Sequence, residues 1–261
     1  MLKHRVASGV ILAPLFLALV YLEFPYFNIL VAALAGAVAW EFARMDGRVG
    51  AKRFALATLA TVLAVGIMSF GYGWAAVAFV AVTVGALVIA DQMSDRKGLH
   101  MVQIAPAYSA LPALALLYVM NLGGHVAIFW LLAIVWATDI GAYACGRLIG
   151  GPKLAPRISP NKTWSGAIGG VIWAVIASSI LLWAFHNEPT GLDGGIAILT
   201  SIVSQIGDLF ESKLKRRYNV KDSGNLIPGH GGVMDRFDGL WAAAPVAALF
   251  CAIFGGGVQT W

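Results

Sequence analysis

The stretch VAIFWLLAIVWATDIGAYAC, residues 126–145, is a run of 20 residues with one charged side chain, Asp139. A helix rises 1.5 Å per residue, so a run of this length crosses a hydrocarbon layer about 30 Å thick. The rest of the chain is similar, because 59% of its 261 residues are hydrophobic and 12% are charged. Soluble domains carry about 25% charged residues. The composition therefore predicts an integral membrane protein.

Eight further apolar runs give nine predicted transmembrane helices, and thus an all-α, polytopic fold. The nine predicted spans are 6–22, 28–42, 54–70, 74–90, 101–120, 126–145, 164–185, 195–209 and 237–254. The first run follows Lys3 and Arg5 and leads into further hydrophobic spans. We therefore interpret it as a transmembrane helix and not as a cleaved leader.

The basic residues predict the orientation of these spans. All 18 Lys and Arg residues fall in alternate connecting segments, which are 1–5, 43–53, 91–100, 146–163 and 210–236. The opposite connections carry Glu23, Glu188 and Asp193 and no basic residue. By the positive-inside rule, the N-terminus is cytoplasmic and the C-terminus lies on the opposite side. The same rule accounts for the net charge of +5 without a nucleic-acid partner.

The organisation along the chain predicts a single transmembrane domain, residues 1–261. We divide it into an N-terminal four-helix portion, 1–100, and a catalytic C-terminal portion, 101–261. The long loops 146–163 and 210–236 both face the cytoplasm in this scheme, so chemistry on soluble substrates is expected there. Cys145 and Cys251 lie in apolar runs and are interpreted as packing residues.

The first polar cluster lies at the end of the sixth span. Asp139, Tyr143 and Arg147 follow one another at intervals of four, so they share one helix face. Asp139 lies about 12 Å below Arg147 along the helix, and a carboxylate at such depth needs a polar cavity or a partner. Two interpretations stay open: the floor of a substrate cavity, or a structural pair of Asp139 with Arg147.

The second cluster is PRISPNKTWSG, residues 156–166. Pro160 and Asn161 predict a turn, and Thr163 or Ser165 is expected to cap the seventh span. Lys162 then lies near a helix N-terminus, where free N–H groups favour phosphate. The alternative is an ordinary basic anchor of a cytoplasmic loop.

The third cluster comprises SQIGDLFESKLKRR, residues 204–217, and KDSGNLIPGHGGVMDRFD, residues 221–238. Its acids Asp208, Asp235 and Asp238 are of the type that binds Mg²⁺ together with phosphate and water. Its basic side chains and glycine amides suit a polyphosphate. Metal-assisted phosphoryl transfer requires this combination, whereas a solvated basic loop does not require the acids. The role of His230 stays open: it either takes part in the reaction directly or forms hydrogen bonds within the loop.

Residues 212–238 resemble the signature of the phosphatidate cytidylyltransferases, also called CDP-diacylglycerol synthases. The match covers the Ser-x-Leu-Lys-Arg start, the Lys-Asp-x-Gly step and the run Leu-Ile-Pro-Gly-His-Gly-Gly-Val-Met-Asp-Arg-Phe-Asp without a gap. Residues 159–163 and the surroundings of Asp139 and Asp208 are also similar, with Asn161 where Lys is more usual. The first hundred residues match in hydrophobic character alone.

The resemblance implies that the cytidylyl group of CTP is transferred to phosphatidate for phospholipid biosynthesis. The products would be CDP-diacylglycerol and pyrophosphate. It also implies Mg²⁺, a second cation such as K⁺, a homodimer, and a location in the cell inner membrane with the active site facing the cytoplasm. The catalytic residues would be Asp208, Lys221, Asp222, His230, Asp235, Arg236 and Asp238, with Asp208, Asp235 and Asp238 at the metal. Together with the clusters above, the expected substrate contacts are Ser159, Lys162, Thr163, Lys215, Arg216, Gly231, Gly232, Asp139 and Tyr143.

The implied mechanism is an attack of the lipid phosphate on the α-phosphorus of CTP. Cations are needed because two anions must approach each other, whereas a phosphate monoester is already largely ionised at neutral pH. Three alternatives remain at this point: a CTP-dependent lipid kinase of the polyprenol type, an ion-coupled transporter, and a non-catalytic scaffold.

Overall fold

The computed structural model describes residues 13–47, 50–93, 100–185, 187–226 and 231–258. This described part of the chain is nearly all helical, and residues 13–21 form a first helical stretch. The elements that follow it are α1 (Tyr26–Arg44), α2 (Ala51–Ser69), α3 (Gly73–Met93), α4 (Met101–Leu148), β1 (Lys153–Ala155), β2 (Ser159–Thr163), α5 (Trp164–Ala184), α6 (Gly191–Arg217) and α7 (Met234–Phe254).

Within the described ranges, six helices are long and apolar enough to cross a bilayer, namely α1 to α5 and α7. Helix α4 has 48 residues, and its backbone leaves the helical conformation at Gly124 (φ 59°, ψ −162°). It therefore contains both of the predicted spans 101–120 and 126–145. Helix α6 contains the predicted span 195–209, whose apolar part is shorter than the roughly 20 residues of a full crossing. The helical, multi-pass membrane class is confirmed, and the number of nine spans stays a prediction.

Two compact units divide the chain. The N-terminal unit comprises Met1–Leu117 and Tyr218–Arg236, and the C-terminal unit comprises Tyr118–Arg217 and Phe237–Trp261. The second half of the predicted loop 210–236 therefore belongs with the first 117 residues of the chain.

Small buried side chains form the core of the N-terminal unit. Ala64, Val80 and Ala110 come from α2, α3 and α4 and pack together in the absence of solvent. The hydroxyl groups of Thr61 and Ser109 hydrogen-bond at 2.9 Å between α2 and α4. Small residues and hydroxyl pairs are the usual means by which membrane helices approach closely.

Buried charges occur where the helices of the N-terminal unit end. The carboxylate of Asp91 accepts hydrogen bonds from Arg53 and, at 2.7 Å, from Gln103. Asp46 Oδ2 lies 3.2 Å from Nδ1 of His100. Both carboxylates are about 1% exposed. Each of these acids is thus matched by a partner, as burial of a charge requires.

Two buried hydrogen bonds orient α4 in the C-terminal unit. Trp130 Nε1 donates to Ser178 Oγ of α5 at 2.7 Å, and Thr138 Oγ1 donates to Ser201 Oγ of α6 at 2.8 Å. All four residues are buried. They fix the last turns of α4, which carry the first polar cluster, relative to α5 and α6.

A short antiparallel hairpin connects α4 to α5. Strand β1 pairs with β2 in the register Lys153 to Thr163 and Ala155 to Ser159, with an irregularity between the two pairs. The chain reverses at residues 156–158, where the N–H of Ile158 donates to the carbonyl of Ala155 at 3.1 Å. The predicted turn at Pro160 and Asn161 is therefore wrong, because both residues lie in β2 and the reversal comes before them.

Loss of the Trp130–Ser178 hydrogen bond should lower stability measurably. We expect Ser178→Ala to reduce the free energy of unfolding by about 1 kcal/mol, since hydrogen bonds between membrane helices contribute roughly this amount. Thermal unfolding in detergent would measure it. Ser179→Ala is the matched control, because this neighbouring side chain on α5 is half-buried. Equal Tm values for Ser178→Ala and the control would contradict the structural role of this bond.

Candidate active site

A cavity of about 620 Å³ lies in the C-terminal unit, between α4, the hairpin, α5 and α6. Five of the predicted site residues line it, namely Asp139, Tyr143, Lys162, Thr163 and Asp208. Arg147, Asn161 and Gln205 add further polar groups to its wall. The sequence clusters 136–151 and 156–166 thus contribute to one space.

The wall formed by α4 carries the three residues that were predicted to share a face. Asp139, Tyr143 and Arg147 all line the cavity. Arg147 Nη1 donates to the hydroxyl of Tyr143 at 2.7 Å, and its guanidinium lies 6.0 Å from the centre of that ring. The partner that the structure gives to Arg147 is therefore Tyr143. This geometry favours the cavity interpretation of Asp139 over a structural pair with Arg147.

The hairpin places the cationic side chain of Lys162 near the N-terminus of α5. Thr163 Oγ1 accepts the N–H of Gly166 at 3.1 Å, so Thr163 is the N-cap of α5 as predicted. The preceding residue, Lys162, donates from Nζ to Asp208 Oδ2 at 2.5 Å. Both side chains are about one-third exposed, at 28% and 33%. This ion pair joins β2 to α6 at the edge of the cavity, next to the N-terminus of α5.

Three carboxylates of the C-terminal unit interact electrostatically. The charge of Asp208 acts on both Asp139 and Asp238, and Asp139 also acts on Asp238. Lys162 opposes the charge at Asp139, and Lys215 opposes it at Asp238. Such a group of acids flanked by two lysines is suited to hold a cation beside an anionic substrate.

Some of the predicted site residues have protein partners of their own. Asp208 Oδ1 also accepts from Ser212 Oγ at 3.3 Å, and Lys215 Nζ donates to Glu211 Oε1 at 2.9 Å. Lys215 was expected to contact substrate, and in the structure it pairs with an acid one turn earlier on α6.

The residues of the C-terminal unit are compatible with Mg²⁺, although they do not form a complete cage. Across the described ranges, no three His, Cys, Asp or Glu side chains are grouped closely enough to hold a metal ion. Mg²⁺ commonly takes one or two carboxylates and fills its other positions with phosphate oxygens and water. Asp208 and Asp238 supply such a pair.

The N-terminal unit contains the described parts of the glycine-rich segment, residues 221–226 and 231–236, which we call the glycine-rich loop. Asp235 Oδ2 accepts the N–H groups of Ser223 and Gly232, both at 2.9 Å. Gly231 between them has a positive φ of 85°. The carboxylate of Asp235 therefore connects Ser223, near the start of the loop, with Gly232, near its end.

Glu41 contacts the same loop and was missed from the sequence. Its side chain is 2% exposed, and its carboxylate accepts from Ser223 Oγ at 3.2 Å, Val233 N–H at 3.1 Å and Met234 N–H at 2.9 Å. The signal for it was present, because Glu41 is an acid inside the predicted span 28–42, and such residues mark functional sites.

The remaining predicted residues are half-buried, exposed or outside the described ranges. Ser159 is half-buried on β2. The exposed residues are Arg216, Lys221, Asp222 and Arg236. His230 lies outside the described residues. The binding and catalytic roles assigned to all of these residues stay predictions.

The fold and the cavity define a helical, multi-pass membrane protein with acids and lysines at the edge of a polar cavity. Residues 3–254 match the model of the cytidylyltransferase family. A phosphatidate cytidylyltransferase of Pseudomonas aeruginosa is 35% identical over 97% of this chain and 98% of its own length. The enzyme of the same name from Bacillus subtilis is 34% identical with the same coverage.

A third relative, the phosphatidate cytidylyltransferase of Brucella suis, is 58% identical over 132 residues. That match covers 50% of this chain and 48% of the relative. In this alignment the chain therefore spans about half the length of the relative. The chain belongs to the cytidylyltransferase family. The family assignment made from residues 212–238 is confirmed.

Close packing of α5 on α4 should be essential for the cavity wall. A Cβ at Gly166 would lie 2.7 Å from the carbonyl oxygen of Ala142 and 3.1 Å from Thr163 Oγ1. We expect Gly166→Ala to destabilise the protein by about 1–3 kcal/mol, because backbone atoms must move.

Gly195→Ala is the control for this substitution, since its added Cβ meets no atom within 4 Å. In a helix this change should be neutral or stabilising by up to about 1 kcal/mol. Thermal unfolding in detergent compares the two variants. Equal Tm values would show that α4 and α5 are not in tight contact at Gly166.

Proposed function

We propose that the protein transfers the cytidylyl group of CTP to phosphatidate and releases CDP-diacylglycerol and pyrophosphate. The observation that carries this proposal is the Lys162–Asp208 ion pair at the edge of a polar cavity inside a membrane-spanning unit. Membership of the cytidylyltransferase family supports the reaction class. The names of the Pseudomonas and Bacillus relatives support the lipid substrate.

The cavity suits a lipid with a phosphate head group. Lys162 and Arg147 supply positive charge to phosphate oxygens beside the N-terminus of α5, whose dipole also favours an anion. The acyl chains stay in the bilayer while the head reaches the cavity between the helices. Asp139, on the same face of α4 as Arg147, lies farther along the wall and keeps this part of the cavity polar.

The acids of the C-terminal unit fit the expected Mg²⁺. Asp208 and Asp238 are the residues that would hold it, and the ion would neutralise phosphate charge that develops during transfer. We also expect a second cation, such as K⁺, and a contribution of Asp235 to the metal site, as the family resemblance implies. The role of Lys162 is to orient the Asp208 carboxylate through their shared hydrogen bond and to screen the two anionic substrates.

The chain needs to supply no general base, since the attacking group is a phosphate that is already ionised. Its contribution is to hold the lipid phosphate in line with the α-phosphorus of CTP and to exclude water from the pair. A phosphate oxygen of the lipid forms the new bond to the α-phosphorus, and pyrophosphate leaves with the electrons of the broken bond. Positioning and charge neutralisation thus account for the reaction.

Removal of the Lys162 charge should abolish most activity. With purified protein, phosphatidate, CTP and Mg²⁺ in detergent, we expect Lys162→Met to lower kcat/KM by about 10²-fold or more, because it removes a cation next to transferring phosphate. Asp208→Asn should have a similar effect. Lys153→Gln is the matched control, since Lys153 lies on the neighbouring strand and is exposed.

Product analysis decides between the reaction classes in the same assay. CDP-lipid with pyrophosphate supports the proposal, whereas a lipid monophosphate with CDP would indicate a kinase. Wild-type protein that forms no CDP-lipid from a competent lipid supply would refute it. Equal activity of Lys162→Met and Lys153→Gln would refute the assignment of the site.

We further propose nine spans in the inner membrane, with the N-terminus and the active site in the cytoplasm and the C-terminus on the opposite side. The distribution of the 18 basic residues supports this orientation. Arg157 in the turn of the hairpin then faces the cytoplasm, and Glu188 before α6 faces the other side. A homodimer is expected from the family resemblance.

Labelling of single cysteines tests the orientation. After replacement of Cys145 and Cys251 by Ala, Arg157→Cys should react with a membrane-impermeant maleimide in inverted vesicles and not in intact spheroplasts. Glu188→Cys should show the reverse pattern. Both positions are exposed, so lack of reagent access from protein burial is not expected. Labelling of both from the same side would contradict the proposed topology.

A further inference from the structure

We propose that Glu41 is a positioning residue of the reaction, which fixes the glycine-rich loop in its working conformation. The inference rests on the proposed function for its kinetic consequence. Glu41 lies 182 positions before Ser223 and 193 before Met234. The carboxylate nevertheless contacts both ends of the most specific motif in the chain.

The contacts of Glu41 close the base of the loop. Oε2 accepts from Ser223 Oγ and from Met234 N–H, and Oε1 accepts from Val233 N–H. Ser223 lies at the start of the loop, and residues 233 and 234 lie at its end. One carboxylate therefore holds the two ends together, and its two oxygens accept all three donors.

The glycines of the motif provide room for this carboxylate. A Cβ at Gly232 would meet the hydroxyl of Ser223 most closely, and it would also lie 2.6 Å from Oε2 and 2.8 Å from Oε1 of Glu41. A Cβ at Gly224 would lie 2.8 Å from Cδ of Glu41. The sequence suggested that Gly232 makes room for phosphate. The structure gives it a contact with Glu41, which requires a residue without a side chain.

Ser223 connects Glu41 to Asp235. Its hydroxyl donates to Glu41, and its N–H donates to Asp235 Oδ2 at 2.9 Å. The charges of Glu41 and Asp235 also act on each other, so the two acids are near neighbours. Since like charges repel, the separate hydrogen bonds from the hydroxyl and the N–H of Ser223 help to keep both carboxylates in place. Movement of Glu41 is thus transmitted to Asp235, a predicted catalytic residue.

Burial makes the arrangement sensitive to change. Glu41 is 2% exposed and Ser223 is 9% exposed, so neither is able to exchange its partner for bulk water. A buried charge destabilises the protein unless hydrogen bonds compensate it. An apolar residue would fill the same volume without this cost, but it would leave the N–H groups of Val233 and Met234 unsatisfied.

The loop conformation also shapes a cavity of about 380 Å³ within the N-terminal unit. Trp40, Glu41 and Arg44 of α1 line one side, and residues 223–226 line the other. Displacement of the loop would therefore change this space together with the position of Asp235.

Steady-state kinetics of Glu41 variants, with CTP and phosphatidate varied separately, test the inference. In Glu41→Gln the amide NH₂ must face a donor, either Val233 N–H or Met234 N–H, so one hydrogen bond is lost. We expect kcat to fall by about 10²-fold, as for a misplacement of about 1 Å, while the KM values change by less than about threefold. Glu41→Asp keeps the charge and should retain more activity than Glu41→Gln.

Asp91→Asn is the matched control, because Asp91 is an equally buried acid of the same unit whose hydrogen bonds come from Arg53 and Gln103. It should lower the Tm and leave kcat unchanged. The inference is overturned if Glu41→Gln has wild-type kcat and KM values. It is also overturned if Asp91→Asn loses kcat to the same extent, since Glu41 would then act through general stability.

A stability cycle provides a readout that is independent of activity. Gly232→Ala should lower the Tm because its methyl group meets the Glu41 carboxylate. In the background of Glu41→Ala this decrease should be smaller, with a residual from the hydroxyl of Ser223, which is the atom nearest to the added methyl group. Strictly additive Tm changes would refute the contact. If wild-type protein forms no CDP-lipid, the proposed function fails, and the cycle still decides whether Glu41 positions the loop.

Discussion

The cost of a carboxylate among apolar helices is the constraint on which the rest of this structure depends. Few acids occur in the chain, and several of them are placed where helices leave the apolar region. Glu41 is satisfied by the glycine-rich loop, Asp91 by Arg53 and Gln103, and Asp208 by Lys162. Each acid thereby determines which basic or N–H-bearing segment must lie next to it.

This constraint arranges polar groups for use as well as for stability. In the C-terminal unit, the Lys162–Asp208 pair fixes the hairpin against α6 and leaves both charges partly exposed at the cavity. In the N-terminal unit, Glu41 and Asp235 hold the glycine-rich loop, and each accepts a different donor group of Ser223. A lipid phosphate and a nucleotide are both anions that must react at a membrane surface. A protein that binds both anions and lets them react needs such compensated charges at the ends of its helices.

The sequence predicted the parts of this structure that depend on local chemistry. The membrane class follows from composition, the shared face of Asp139, Tyr143 and Arg147 follows from helical periodicity, and the N-cap at Thr163 follows from its hydroxyl. The turn at Pro160 and Asn161 was wrong, because strand pairing of Ser159 with Ala155 moved the reversal to residues 156–158. Turn residues signal a break, but the pairing register decides where it falls.

The missed features depend on contacts between distant residues. Glu41 meets residues 182 to 193 positions away, and no local pattern indicates this. Because Glu41 is an acid inside an apolar run, its position indicated a functional residue. The sequence of the helix did not indicate that its partner is the glycine-rich loop. The same holds for Gly232, whose neighbours Ser223 and Glu41 together explain the need for glycine. Lys215 was assigned to substrate from its charge, whereas its i, i+4 spacing to Glu211 already indicated the ion pair that forms.

The most direct measurement of the central claim follows the oxygen atoms of the lipid phosphate. Phosphatidate labelled with oxygen-18 in its phosphate group is incubated with unlabelled CTP and the wild-type protein, and the products are analysed by mass spectrometry. An attack of the lipid phosphate on the α-phosphorus predicts that CDP-diacylglycerol retains all of the label and that pyrophosphate contains none. Labelled pyrophosphate, or the absence of a CDP-lipid, would contradict the account.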